Sequence, residues 1–370
     1  MTKRIGVLTA GSDCPGLNAA IRAIGKAATG DFGMQIIGFQ DGFQGLVENQ
    51  VIQPALSGIL TLGGTILGTS RETPYEMLVS GQAKTRVEAI LHTYHEHNLH
   101  ALVCIGGLET QHSAYYLSQQ GLNIITLPKG VDNDVAMTDV TIGYDTAMGI
   151  ATEAIDRLHS TAHSNHRIIL VEVMGRRAGW LTLGAGIAGG ADVIIIPEIP
   201  YDIQKVVKAI SDRNRSGKRF SIIAVSEGGI SKDTVDFFKR SKNANHRLRS
   251  GDEAARIDRQ LDGIETKLGG STIFLANRLQ TFTGLDTRIT IMGHLLRGGA
   301  PSAADRVLAT NLGTACVKLI NEAKFGVMVA MRDGDVAAVP LEQVVGKQKQ
   351  VPLNHAWIES ARRVGTNLGD

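Results

Sequence analysis

Short runs of aliphatic and β-branched residues, each ending in a glycine-bearing turn and then a small-residue or amphipathic helix, recur along this chain. That alternation restricts it to a layered α/β fold. Arg4–Thr9, Gln35–Phe39, Ala101–Ile105, Asn123–Leu127, Ile168–Val173, Ala191–Pro197, Phe220–Ser226, Arg288–Met292 and Val327–Ala330 read as strands, and Gly16–Ala28 as a helix. Buried apolar runs separated by helices predict a mostly parallel sheet covered on both faces. Ligands of such sheets sit beyond the carboxyl ends of the strands, so the residues just after each strand carry the functional information.

The 370 residues suffice for one large unit or two lobes. A net charge of +2 and 5% aromatic residues argue against a nucleic-acid partner. The three cysteines, Cys14, Cys104 and Cys316, have no paired spacing, which fits a reducing, cytoplasmic setting and neither a zinc site nor a disulfide framework. The first apolar run stops at Gly11, Ser12 and Asp13, so no secretory leader is expected. Ala178–Ile196 is apolar, but it contains Asp192 and five glycines, so no membrane span is expected. Residues 231–268 form a charged insert with helical spacing over Asp252–Lys267, and the tail from Ala338 is polar and predicted to wrap the surface or a partner subunit.

The turns concentrate polar chemistry. Thr9–Arg22 runs from a strand through glycines into a helix, which exposes backbone N–H groups and the positive end of the dipole to an anion. Gly63–Arg71 offers more glycines and an arginine suited to phosphate oxygens. Gly106, Gly107, Leu108, Glu109 and Thr110 follow one strand, and Pro128–Asp134 the next. In the latter, Asp132 and Asp134 could divide proton acceptance and magnesium binding, or simply shape an Asp-Asn-Asp turn. Further along, Arg167, Arg176, Glu227, Arg288, His294 and Arg297 border strands and suit a phosphorylated sugar.

Two patterns point elsewhere. Gly184–Gly189 matches GxGxxG, yet it follows a helix-like stretch and precedes a strand, so close helix packing is the expected role. His159, His163 and His166 have metal-like spacing but no acidic partner nearby in sequence. No GxxxxGK[ST] occurs, which excludes a P-loop kinase.

In this order, the motifs resemble those of the 6-phosphofructokinase family, from Lys3 to about Ile320. The family's TSGGDxPGxNAxIR is similar to Thr9–Arg22, PKTIDND to Pro128–Asp134, and TIGFDTA to Thr141–Ala147. VEVMGRxAGWLAL is similar to Val171–Leu183, AEG to Ser226–Gly228, and GHxQRGGxPSxxDR to Gly293–Arg306.

The resemblance implies two similar α/β lobes, each a mainly parallel sheet with helices on both faces, and an active site in the cleft between them. It places a donor-binding lobe at 1–142 plus about 255–307, a fructose 6-phosphate lobe at 143–254 plus about 308–337, and a tail at 338–370. It implies that Asp132 takes the proton of the sugar C1 hydroxyl, that Arg71 reaches the transferring phosphoryl group, and that Asp134 lies near Mg2+. Gly130, Met174, Gly175, Arg176 and Glu227 correspond to the sugar pocket, and His294 and Arg297 to groups on the 6-phosphate. Arg167 and Arg288 correspond to arginines supplied across a subunit interface, implying a homodimer or homotetramer. Gly11, Ser12, Gly107, Leu108, Glu109, Thr110 and Lys129 correspond to the donor pocket, for ATP or pyrophosphate.

That donor pocket departs from the family pattern. Leu108 replaces the aspartate of GGDGT and cannot ligate a hard cation. Glu109 together with Lys129 resembles pyrophosphate users, Ser12 replaces a glycine, and Gly130 replaces a threonine whose hydroxyl is lost. The whole-chain resemblance favours ATP. The alternative is a catalytically weakened, sugar-phosphate-binding regulatory subunit.

Overall fold

The computed structural model describes residues 2–75, 83–248 and 272–370. Its strands are β1 (Arg4–Ala10), β2 (Gln35–Phe39), β3 (Val51–Ile52), β4 (Leu99–Gly106), β5 (Ile124–Pro128), β6 (Ile168–Val173), β7 (Val193–Ile195), β8 (Ser221–Ser226), β9 (Thr287–Ile291), β10 (Val327–Arg332) and β11 (Asp335–Pro340). The helices, in order, are α1 (Leu17–Gly30), α2 (Phe43–Val47), α3 (Ala83–Glu96), α4 (Leu108–Ser118), α5 (Tyr144–Asn165), α6 (Trp180–Ala188), α7 (Ile203–Arg215) and α8 (Lys232–Leu248). They continue with α9 (Thr272–Thr283), α10 (Ala303–Asn321), α11 (Leu341–Val344) and α12 (Ala356–Arg363).

The chain divides into two compact units. Unit 1 comprises Met1–Ala147 and Arg297–Lys349, and unit 2 comprises Met148–Leu296 and Gln350–Asp370. Unit 1 holds a seven-stranded sheet in the order β11-β10-β5-β4-β1-β2-β3. The five inner strands run parallel, and β3 and β11 close the edges antiparallel. Leu8, Leu102, Cys104 and Ile124 are fully buried in its core; burying one such leucine or isoleucine side chain stabilises by about 1.5–3 kcal/mol. The chain leaves β1 toward β2 on one side and returns through β4 on the other. The connections after β1 and β4 therefore diverge, opening a crevice at the carboxyl ends of these two strands.

Unit 2 holds a four-stranded, wholly parallel sheet in the order β7-β8-β6-β9. Its core gathers Ile168, Leu170, Ile195, Ile223 and Val225 with Val206, Ile210, Leu275 and Leu279 from the covering helices α7 and α9.

Two expectations need correction. The returning segments fall to the opposite units, because β9 pairs with β6 in unit 2, whereas β10 pairs with β5 in unit 1. The tail does not simply wrap the surface: Leu341 and Val344 enter the core of unit 1, and the Asn367 carbonyl accepts the Ile194 N–H at 2.9 Å in unit 2. The glycines at 184–189 lie within and just after α6 and allow the close packing expected of them: a Cβ on Gly186 would meet Ile194 at 2.7 Å. Of the charged insert, the first part is helix α8; Asp252–Lys267 lies outside the described residues.

Candidate active site

Three neighbouring strands of unit 1, in the order β5-β4-β1, bring their carboxyl-end loops together around a cavity of about 240 Å³. From β1 come Gly11 and Ser12; from β4 come Gly107, Leu108, Glu109 and Thr110; from β5 come Lys129, Gly130, Asp132 and Asp134. Arg71 and Arg297 also line it. All eight residues expected around the phosphoryl donor line this one cavity, together with the expected base, the expected metal-side carboxylate and one expected phosphate arginine.

The helix entering this cavity suits an anion. α4 begins after Gly107, and no side chain caps its first turn. Elsewhere Asp202 and Ser302 cap α7 and α10. An uncapped first turn keeps its N–H groups free for a phosphate. Leu108 turns its side chain onto the hydrophobic core, and Glu109 beside it is exposed. The Tyr75 hydroxyl approaches Glu109 Oε2 at 3.5 Å.

The cationic side chains are held by the turn after β1. Arg71 Nη2 donates to Ser12 Oγ at 2.9 Å, and Arg297 Nη1 to the Asp13 carbonyl at 3.0 Å. Lys129 Nζ donates to the Ser12 carbonyl. Burial lowers the Lys129 pKa below the usual lysine value; Arg297 and Arg71 push the same way against Cys14 and Asp13. Cys14 donates to the Ile142 carbonyl at 3.3 Å, and burial pushes its thiol up to about 12, so it is a packing group rather than a nucleophile.

The loop carrying Asp132 is internally bonded. The Gly130 N–H donates to the Ile142 carbonyl at 2.9 Å, and Thr141 Oγ1 to the Gly130 carbonyl at 2.6 Å. Asn133 Oδ1 accepts the Thr141 N–H at 3.1 Å. Behind the loop, the fully buried Asp305 accepts from the N–H groups of Gly143 at 2.8 Å and Thr146 at 2.9 Å. Sequence reasoning passed over Asp305, although its motif was recognised, because a buried carboxylate and an exposed one read alike. It also passed over Thr73 and Phe43, which line the cavity from outside any motif.

In unit 2, the residues expected around the sugar separate into two groups. Met174, Gly175 and Arg176 follow β6, Glu227 follows β8, and His294 follows β9 on a 3-10 turn, all at the carboxyl ends of adjacent strands. Arg176 Nε lies 3.4 Å from Glu227 Oε1, and the Gly228 N–H donates to the Gly175 carbonyl at 3.1 Å. This turn admits only glycine at 228, where a Cβ would lie 1.9 Å from the Arg176 carbonyl oxygen. Arg167 and Arg288 sit at the amino ends of β6 and β9, and both pair with Asp286 at 2.5 Å. The three histidines do not converge as metal ligands would: His159 bonds the Gly189 carbonyl at 2.7 Å, and His159 and His163 pack edge-on against Phe220.

The described residues contain no group of three or more potential His, Cys, Asp or Glu ligands. Magnesium needs fewer, since one or two carboxylates with substrate phosphates and water complete its octahedron. The oxygen donors Asp132 and Asp134 on the cavity wall fit that demand, and Leu108 contributes nothing to it.

The phosphofructokinase family model matches residues 4–320. An ATP-dependent 6-phosphofructokinase of Propionibacterium freudenreichii is 50% identical and covers 100% of both chains. One of Spirochaeta thermophila is 48% identical, covering 100% of this chain and 98% of its own. The solved structure of Pichia pastoris phosphofructokinase superimposes with a TM-score of 0.77 at 28% identity, over 93% of this chain and 35% of that longer one. A pyrophosphate-dependent enzyme of Marinobacter aquaeolei shares the fold, with a TM-score of 0.78 at 20% identity over 99% of this chain and 88% of its own. With a family model matching residues 4–320 and relatives at about half identity matching it from end to end, this chain belongs to the phosphofructokinase family.

Proposed function

We propose that this protein phosphorylates fructose 6-phosphate at its C1 hydroxyl with ATP, forming fructose 1,6-bisphosphate and ADP in glycolysis. The observation that carries the reading is that Asp132 shares one cavity with Arg71, Lys129, Arg297 and the uncapped start of α4. In the proposed step, Asp132 accepts the C1 hydroxyl proton, the sugar oxygen bonds to the γ-phosphorus, and the bond to the β-phosphate bridging oxygen breaks. Arg71 and Lys129 meet the charge on the phosphoryl oxygens, and the first turn of α4 holds the leaving diphosphate. Such transfer needs positioning and charge neutralisation more than covalent chemistry. Mg2+, bound through Asp134 and water, would supply charge neutralisation at the donor phosphates.

Full-length relatives named ATP-dependent support ATP over pyrophosphate. The presence of base, arginine and phosphate cradle in one cavity supports an active enzyme over a regulatory subunit. The Met174–Arg176 turn and Glu227 serve the sugar in this reading, with His294 and Arg297 on its 6-phosphate. Arg167 and Arg288, at the other ends of their strands, face a partner subunit of a homodimer or homotetramer. A cytoplasmic setting accords with three buried, unbridged cysteines, and no helix among the described residues is long and apolar enough to cross a membrane.

The test is turnover of purified protein with fructose 6-phosphate, Mg2+ and either ATP or pyrophosphate. ATP is expected to give product, and Asp132→Asn to lower kcat by about 10³-fold with little change in KM. Binding of fructose 6-phosphate without turnover of either donor would sink the enzyme reading.

A further inference from the structure

The end of unit 1 brings a cation to the loop that carries Asp132. The family model stops at residue 320, so this segment lies beyond it. Lys349 Nζ donates to Asn133 Oδ1, to the Thr138 carbonyl and to the Asp139 carbonyl, each at 2.8 Å. An ammonium has three N–H bonds, and here they span the two ends of one turn. The Lys349 backbone N–H donates to the Asp134 carbonyl at 2.8 Å, and Gln348 and Val135 form an antiparallel bridge.

Asn133 lies between the two acidic residues with φ 51°, and Met137 farther along the same turn has φ 64°, both in the left-handed region. That conformation costs on the order of 1 kcal/mol for a residue other than glycine and persists only where neighbours enforce it. Nearby, the Gly346 N–H donates to His112 Nε2 at 2.8 Å on α4, whose first turn lines the same cavity. The stretch from Gly346 to Lys349 thus braces both the β5 loop and the donor-side helix. Taking an ammonium out of water is a poor way to gain stability; burial lowers the Lys349 pKa to about 8, against the opposing pull of Asp139 and Asp134.

We propose that Lys349 is a positioning residue for phosphoryl transfer: by gripping both ends of the Asn133–Asp139 turn, it fixes the Asp132 carboxylate on the cavity wall. This rests on the reading of Asp132 as the base.

The experiment compares the full-length wild type with Lys349→Met and Lys349→Gln in steady-state kinetics with ATP and fructose 6-phosphate. Both variants are expected to unfold cooperatively on heating and to lose about 10–100-fold in kcat, as a misplacement near 1 Å costs. Their KM values for both substrates stay within about threefold, because positioning of the base acts in the transition state. Lys349→Cys alkylated with bromoethylamine rebuilds a lysine-like ammonium and is expected to recover most of kcat. The native cysteines are all buried, which leaves the introduced thiol as the reactive one. A kcat within about twofold of wild type in both variants overturns the proposal. So does a loss that the restored ammonium does not repair, or loss of cooperative unfolding, which would make the lysine a determinant of the whole fold. Wild-type protein inactive with ATP and fructose 6-phosphate overturns the proposed function itself.

Discussion

Arg71 Nη2 donates to Ser12 Oγ at 2.9 Å, so Ser12 tethers an arginine of the cavity wall. The Ser12 carbonyl accepts from Lys129, so one residue holds both cations. Arg71→Lys is expected to lower kcat by about 10²-fold, because a point charge cannot reproduce a forked donor. Ser12→Gly keeps the arginine but removes its tether, and is expected to lower kcat by about threefold to tenfold. Steady-state kinetics checks both; an unchanged kcat in Ser12→Gly would show that the hydroxyl does not hold the arginine in place.

Glu109 is exposed on the first turn of α4, where the cradle would meet donor phosphates. Like charges across a few ångströms repel by about 1–4 kcal/mol, depending on how far water screens them. Glu109→Gly is expected to lower the KM for ATP by about threefold to tenfold. It should also cost stability of up to about 1 kcal/mol, through lost helix propensity and a lost favourable charge at the dipole. ATP titrations and denaturant unfolding separate the two effects. No change in KM would remove Glu109 from the donor site.

Lys129 carries a pH signature. Its native pKa is held below 10.5 by burial, so between that native value and 10.5 the unfolded chain binds more protons than the folded one. Unfolding free energy therefore rises with pH across this window, since the buried ammonium is a cost that deprotonation removes. Catalysis moves oppositely, because the neutral amine no longer attracts phosphate. The value of kcat/KM for ATP is expected to fall on the alkaline side before the ordinary lysine range. Lys129→Met should reduce the stability slope, leaving the part that Lys349 contributes, and Lys129→Arg should abolish the kinetic limb, since a guanidinium does not titrate there. Urea unfolding at a series of pH values, with matched kinetics, checks both signs.

Gly130 has φ +151°, and nothing lies within 4 Å of where its Cβ would be. Space is therefore available for the family threonine, but the backbone conformation disfavours any L side chain. The glycine is thus tied to this loop's path, and reading it only as a lost hydroxyl is incomplete. Gly130→Thr is expected to destabilise by about 1–3 kcal/mol and to reduce kcat through the displaced Asp132. Equilibrium unfolding at matched or greater stability would refute the backbone argument.

The strands, the loops that follow them and the polar residues in those loops were legible because each depends on local pattern. Burial on both faces leaves an unbroken apolar run, and a sharp turn leaves glycine. Edge strands β3 and β11 were not legible, one because it has two residues and the other because it is exposed and mixed in character. The returning segments were assigned to the wrong units for a related reason: strand pairing is a long-range choice that periodicity does not encode.

From the residues alone came an α/β chain with anion-binding turns and, through the order of its motifs, its resemblance to a family. Tertiary structure decided the order β5-β4-β1, which gathers three distant turns around Asp132. It also decided that Lys349, 216 positions from Asn133, should hold that turn. Local sequence limits which conformations a segment can adopt, but only the packed sheet determines which loop ends become neighbours and which lysine is drawn from water to serve them.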